Sequence, residues 1–206
     1  MLQAFLHGLI LSIGLILPMG PQNLFIFSQG ANQPRFKQAI PVVVTAGVCD
    51  LILISLAIVG ISVMIMALPI LQGLLYLVGF VFLLVIGRSI WCTPRVKDQE
   101  VKALSKRKQI TFAISVSLLN PHAIMDTVGV IGTNAVVYEL SSERWAFWFS
   151  CVLVSWVAFF ALAVAGRLLR RLDRSGKALH IIHKLSALFI WGVAIYLLVN
   201  GFRALS

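Results

Sequence analysis

Polar residues punctuate the chain at wide intervals, and the apolar runs between them are long. Six stand out, at about 5–28, 40–66, 70–91, 110–137, 146–166 and 185–203. Each is long enough to cross ~30 Å of hydrocarbon at about 1.5 Å per residue. The pattern predicts an all-α membrane protein with six transmembrane helices. Pro69 marks a tight turn between the second and third runs. Trp91, Trp145 and Trp148 fall at run ends, where amphipathic rings favour the membrane interface. Met1–His7 has no positive n-region and no small-residue cleavage site follows the first run, so that run is expected to stay in the protein.

The first run is interrupted by LPMGPQN, residues 17–23. Pro18 and Pro21 lack an amide hydrogen and should displace the carbonyls of Gly14 and Leu17, four residues earlier. Gly20 lets the chain bend there. Pro121 in the fourth run should displace the carbonyl of Ser117 in the same way. Residues 12–30 laid over 115–133 pair Ser12 with Ser115, Pro18 with Pro121 and Asn23 with Asp126 at one offset. Three spans per half is an odd number, so the two halves must face opposite ways. The expected architecture is two inverted three-helix repeats with broken first and fourth helices, a signature of secondary transporters. One transporter domain would cover 1–206, with repeat 1 at about 1–92, a basic loop at about 93–109 and repeat 2 at about 110–206.

Composition agrees: 60% of residues are hydrophobic and 12% are charged, against roughly 25% charged in a soluble domain. The net charge of +10 could suggest nucleic acid as a partner, but its placement gives a simpler reason. With six spans, one side receives Arg35 and Lys37, then Arg88, Arg95, Lys97, Lys102, Lys106, Arg107 and Lys108, then Arg167, Arg170, Arg171, Arg174, Lys177 and Lys184. Those are 15 of the 17 basic residues, and Arg144 and Arg203 remain opposite. The positive-inside rule then puts both termini outside and the basic loops in the cytoplasm, facing lipid headgroups. RLLRRLDR is thus a topology signal and a headgroup contact; nucleic acid is not an expected partner. The thiols Cys49, Cys92 and Cys151 are scattered in or at the ends of apolar runs without a CxxC pair, and are expected to be buried.

Two acids lie deep in apolar runs, Asp50 and Asp126. Each costs at least ~2.5–3.5 kcal/mol at the bilayer centre. No arginine or lysine lies comparably deep, since Arg88 near a run end can snorkel outward. The plainer account is a protonated aspartate bonding across helices; the functional account is a site for a cation or a proton. His122 precedes Asp126 by four residues on the same helical face and could bind a metal, relay a proton or simply pair. Backbone groups freed by the breaks are tolerated at membrane depth only inside protein or beside a wet cavity. The half-helix after each break presents unpaired amides and a positive dipole end, which suit a carboxylate. Gln22, Asn23 and Asn120 add side-chain amides. Two acids plus a carboxylate site match a basic amino acid, which carries two cations and one anion.

LPMGPQNLF in the first run, Asp50 in the second and LLNPHAIMDTVGVIG in the fourth resemble the LysE family of bacterial amino-acid exporters, more narrowly its lysine and arginine exporter branch. Span count, length and the long basic central loop fit as well. The resemblance implies efflux of L-arginine or L-lysine across the inner membrane. It implies roles for the intramembrane aspartates, matched here by Asp50 and Asp126, and for the motif positions Gly20, Pro21, Gln22, Asn23, Asn120, Pro121 and His122. No residue of the third span or the central loop inherits a role.

No phosphate-binding loop GxxxxGK[ST] is present, so no ATP is expected to be hydrolysed, and no cofactor is expected. Moving a cation outward opposes an inside-negative potential at ~2.3 kcal/mol per charge per 100 mV, which favours proton antiport. A divalent-metal exporter of the same superfamily is the near rival, because His122 and Asp126 share a face. Such sites need more converging His or Cys ligands, and no resident metal is expected. An intramembrane aspartyl protease would want GxGD where Asp50 follows AGVC, and HExxH is absent. The partners expected are a basic amino acid, protons and the bilayer, with a homodimer left open.

Overall fold

The computed structural model describes residues 1–16, 20–59, 69–92, 103–118, 124, 126–138, 141–172 and 177–205. Eight α-helices follow one another: α1 (Leu2–Ile16), α2 (Pro21–Asn32), α3 (Ile40–Ile58), α4 (Pro69–Trp91), α5 (Lys106–Leu118), α6 (Gly132–Ala135), α7 (Ser141–Leu172) and α8 (Lys177–Leu205). A 3-10 turn, Phe36–Gln38, precedes α3, and a π-helical turn, Asp126–Ile131, leads into α6. Among the described residues there is no strand. Three stretches, Phe36–Ile58, Ser141–Leu172 and His180–Val199, are long and apolar enough to cross a membrane, and the bent pair α1 and α2 is a fourth.

The first apolar run is two helices whose axes differ by 75°. Pro21 opens α2 as its first helical residue, with Gly20 as N-cap. Its missing amide would have had no helical partner there, and its fixed φ suits a helix start. Pro21 therefore starts a helix and does not kink one; Leu17, whose carbonyl it is expected to displace, lies outside the described residues. Gly20 has φ −69° and ψ 175°, an extended conformation open to any residue, so the bend does not use its conformational freedom. Pro18, Asn120, Pro121 and His122 lie outside the described residues. So do the end of the second predicted run and most of the central loop.

Helix α7 is the frame. Its 32 residues span roughly 48 Å, more than the predicted 146–166, and α1, α2 and α3 pack on it. A Cβ on Gly30 of α2 would strike the Ala163 carbonyl, and one on Gly166 would strike the Phe27 carbonyl. The two backbones therefore touch without side chains between them, the small-residue crossing that gives membrane helices their van der Waals gain. Gly8 of α1 meets Ser150 and Phe147 further along α7 in the same way. Helix α5 and the π-helical turn pack on α3, and α4 pairs with α8 more extensively than any other two helices.

The polar contacts sort into two ends. At one end Arg167 Nη1 donates to the Gln33 carbonyl (2.8 Å), Arg167 Nη2 to that of Pro34 (2.9 Å) and Arg170 Nη1 to that of Ala31 (3.4 Å). These arginines cap the negative end of α2; RLLRRLDR thus does more than signal topology. Gln33 and Gln109 side chains both donate to the Leu104 carbonyl at this end. Lys184 Nζ donates to the Trp91 carbonyl at 2.8 Å and lies 3.7 Å from the Trp91 ring centre. At the other end the Met1 amine meets Glu143 (3.2 Å), His7 Nδ1 pairs with the Tyr138 hydroxyl (2.7 Å), and Arg144 donates to the Tyr138 carbonyl. Cys49 and Cys151 are buried as expected, but Cys92 is exposed, because it follows the last residue of α4 and nothing among the described residues covers it.

Gly30→Leu should lower the melting temperature in detergent, since overpacking costs about 1–3 kcal/mol. Gly14→Ala, whose new Cβ meets nothing within 4 Å, should leave it unchanged or slightly raised. Equal melting of Gly30→Leu and the parent would show that the crossing is not close.

Candidate functional site

The break delivers the first turn of α2 into the protein interior. Gln22 and Asn23 keep only 9% of their surface, and every residue from Pro21 to Phe27 is buried. Gln22 Nε2 donates to Asp50 Oδ1 at 3.1 Å, which joins α2 to the middle of α3. The buried Ser155 side chain of α7 lies beside Asp50, within reach of its carboxylate. Asp50 is half-buried, and its two partners are neutral. Among the described residues the single ion pair is Met1–Glu143, and none of their lysines or arginines neutralises Asp50.

Asn23 does something the sequence did not suggest. Its Nδ2 donates to the Ile16 carbonyl at 2.9 Å, across the break and onto the last residue of α1. A carbonyl at the end of α1 has no helical donor, and an unsatisfied one inside the protein would cost about 1–3 kcal/mol. The amide thus stitches the two half-helices together. Gly20 provides no side-chain cap for α2, and a Cβ there would meet nothing within 4 Å.

The structure brings Gln22 and Asp50 into contact and places Asn23 beside them. The backbone of Asp126 opens the π-helical turn, which packs on α3, the helix of Asp50; the Asp126 side chain lies outside the description. The turn is held by Thr133 Oγ1, which donates to the carbonyls of Gly129 and Val130, and by Asn134 Nδ2, which donates to that of Val130. Sequence reasoning missed Ser155 and Ser117. Ser117 is fully buried on α5, its hydroxyl has no hydrogen-bond partner among the described residues, and it lies beside Cys49, next to Asp50. Each is an isolated hydroxyl in an apolar run, a weak but readable mark. Among the described residues no three His, Cys, Asp or Glu side chains come together.

What the site can do follows from its charges. A carboxylate held only by neutral donors, one residue from the positive end of a helix, can take up a cation or a proton. Asn23→Leu should lower the unfolding free energy by about 1–3 kcal/mol through the orphaned Ile16 carbonyl. Gly20→Ala should stay within about 0.5 kcal/mol of the parent. Thermal melts of the purified protein compare the two, and an unchanged melt for Asn23→Leu would remove the stitch from the account.

Residues 13–201 match the family described as LysE type translocator. YisU of Bacillus subtilis (strain 168), named as an amino-acid transporter, is 45% identical over 202 residues, covering 98% of this chain and 91% of YisU. The arginine exporter protein ArgO of Enterobacter sp. (strain 638) is 32% identical over 206 residues, covering 98% of this chain and 96% of its own. ArgO of Escherichia coli (strain K12) is 31% identical with the same coverage. No solved structure matches the chain.

Proposed function

The chain belongs to the LysE type translocator family, a family of transporters and not of enzymes, and from that premise we propose that it exports basic L-amino acids, arginine or lysine, by proton antiport. Asp50 and Asp126 hold the cation or the proton. The first turn of α2, with Gln22 and Asn23, takes the carboxylate, and Asn120 and His122 belong to the same lining. The membrane is the bacterial inner membrane, crossed six times, with the basic loops in the cytoplasm and both termini outside.

One observation carries this reading: Asp50 contacts the first turn of α2 through Gln22 and has no basic partner among the described residues. An α-amino acid presents its ammonium and carboxylate on one carbon, so it needs a negative group beside a helix N-terminus. The relatives named as arginine exporters favour a substrate with a second positive charge.

The repeat has support in the packing. Spans one and five meet through α1, α2 and α7, while spans four and two meet through α5, the π-helical turn and α3. Exchanging the halves turns one set of contacts into the other, as an inverted repeat requires. Asn23 stands in the first turn of α2 and Asp126 opens the π-helical turn, five positions after Pro18 and Pro121 respectively. Sidedness has support too, because Gln33, Leu104, Arg167 and Arg170 gather at one end and Met1, Tyr138 and Glu143 at the other.

Outward movement of arginine works against an inside-negative potential, by ~2.3 kcal/mol per charge per 100 mV. One entering proton cancels that charge and adds the pH gradient as a driving force. Vesicles loaded with labelled arginine should lose it faster when an inward proton gradient is imposed, and should take up protons as they do. Asp50→Asn and Asp126→Asn should insert normally and export at the background rate. Arginine efflux indifferent to the gradient would rule out antiport, and wild-type efflux from either variant would reduce that aspartate to a structural role.

A further inference from the structure

Four helices contribute to the polar site, and their sequences are in register around it. One turn from Gln22, towards the end where Arg167 and Arg170 cap α2, is Ile26; one turn from Asp50 is Ala46; from Ser117, Ala113; from Ser155, Phe159. Each step is four residues, one turn of helix. Ile26, Ala46, Ala113 and Phe159 belong to one buried apolar cluster with Phe25, Val42, Val43 and Ala163, each 7% exposed or less. Beyond that layer the chain turns polar again: Gln29, Gln33 and Gln109 are buried together, with Gln33 Nε2 donating to Gln29 Oε1 at 3.0 Å. Polar groups thus lie on both sides of a single apolar layer.

Within the layer, the rings of Phe25 on α2 and Phe112 on α5 lie with centroids 4.2 Å apart, tilted by 42°. The pair joins the two halves of the chain. Helix α2 is fixed on its other side, where its backbone touches α7 at Gly30 and Gly166 and where Arg167 and Arg170 hold its last carbonyls. The ties between α5 and α2 are fewer: Phe112 is half-buried against Phe25, Leu24 and Val116 share one buried cluster, and the Gln33 side chain donates to the Leu104 carbonyl just before α5. A second apolar layer lies one turn to the other side of the polar site, at Ile54 of α3 and Cys151 of α7, with Ile131, Ala135 and Phe147.

We propose that Phe25 and Phe112, with the apolar layer around them, are the gate between the Asp50 site and the end of the protein that carries the basic loops. The gate opens when α5 withdraws from α2 while α7 holds α2 in place. The layer at Ile54 and Cys151 stands on the opposite side of the site. The proposal rests on the transport reading but not on the identity of the substrate.

The native thiols test it. Cys49 is 4% exposed on α3, next to Asp50, while Cys92 is exposed at the end of α4 where Lys184 meets Trp91. Vesicles of both orientations would carry the protein with Cys49 or with Cys92 as the remaining thiol, and a membrane-impermeant maleimide would be applied. Cys92 identifies the basic-loop face. Phe112→Ala, and separately Phe25→Ala, should raise Cys49 labelling from that face by about tenfold or more, because losing a packed ring opens the layer. Labelling from the other face should not change. Equal labelling in monodisperse, normally melting protein overturns the gate, as does a rise from the opposite face. Bridging Phe25→Cys to Phe112→Cys with a short thiol-reactive crosslinker should stop transport, and reduction should restore it; transport by the bridged protein also overturns the proposal. A gate that behaves as described in a protein that does not carry arginine would count against the substrate and not against the gate.

Discussion

An acid held by neutral side chains from neighbouring helices organises this protein. A carboxylate deep in an apolar run is costly, and Asp50 is held by a glutamine and a serine and by no lysine or arginine among the described residues. Both donors come from other helices. The start of α2 must therefore reach the middle of α3, which a straight first span would not allow. The break at residues 17–20 and the 75° between α1 and α2 follow from that need. In the export reading, a substrate cation or a proton balances that carboxylate.

A broken helix in an apolar setting leaves polar ends that need partners, and the chain supplies them locally. Asn23 satisfies the end of α1, while Arg167 and Arg170 satisfy the end of α2. Glycines at 8, 30 and 166 let α1 and α2 lie against α7 at backbone distance. One half of the site is thereby held backbone to backbone, and the contact of α2 with α5, built on the Phe25–Phe112 rings, the Leu24 and Val116 side chains and one Gln33 hydrogen bond, is the softer one. A transporter needs that division, with a fixed frame and a contact that can part.

Much of this was legible in the letters. Long apolar runs gave helices, and LPMGPQN marked the place where the first one divides. Asp50 and Gln22 were both singled out as polar residues in apolar surroundings, and the structure brings them within a hydrogen bond. Other features were not legible because they are relations between helices. The four-residue register that lines up Gln22, Asp50, Ser117 and Ser155 depends on how four helices slide against one another, and no single run records it. Pro21 looked like a kink because a proline inside an apolar run usually is one; only the position of the helix start shows that it opens α2. The arginines after residue 166 looked like a loop because charge ends a membrane run, yet α7 continues to Leu172 and aims two of them at α2. The exposure of Cys92 likewise depends on what packs over the end of α4.

Proton and substrate sharing one carboxylate is the central claim, and binding to purified protein tests it most directly. In weakly buffered detergent solution near neutral pH, arginine binding should release protons from the protein, and Asp50→Asn should abolish that release. Arginine that binds to the wild-type protein with no proton released would contradict the account.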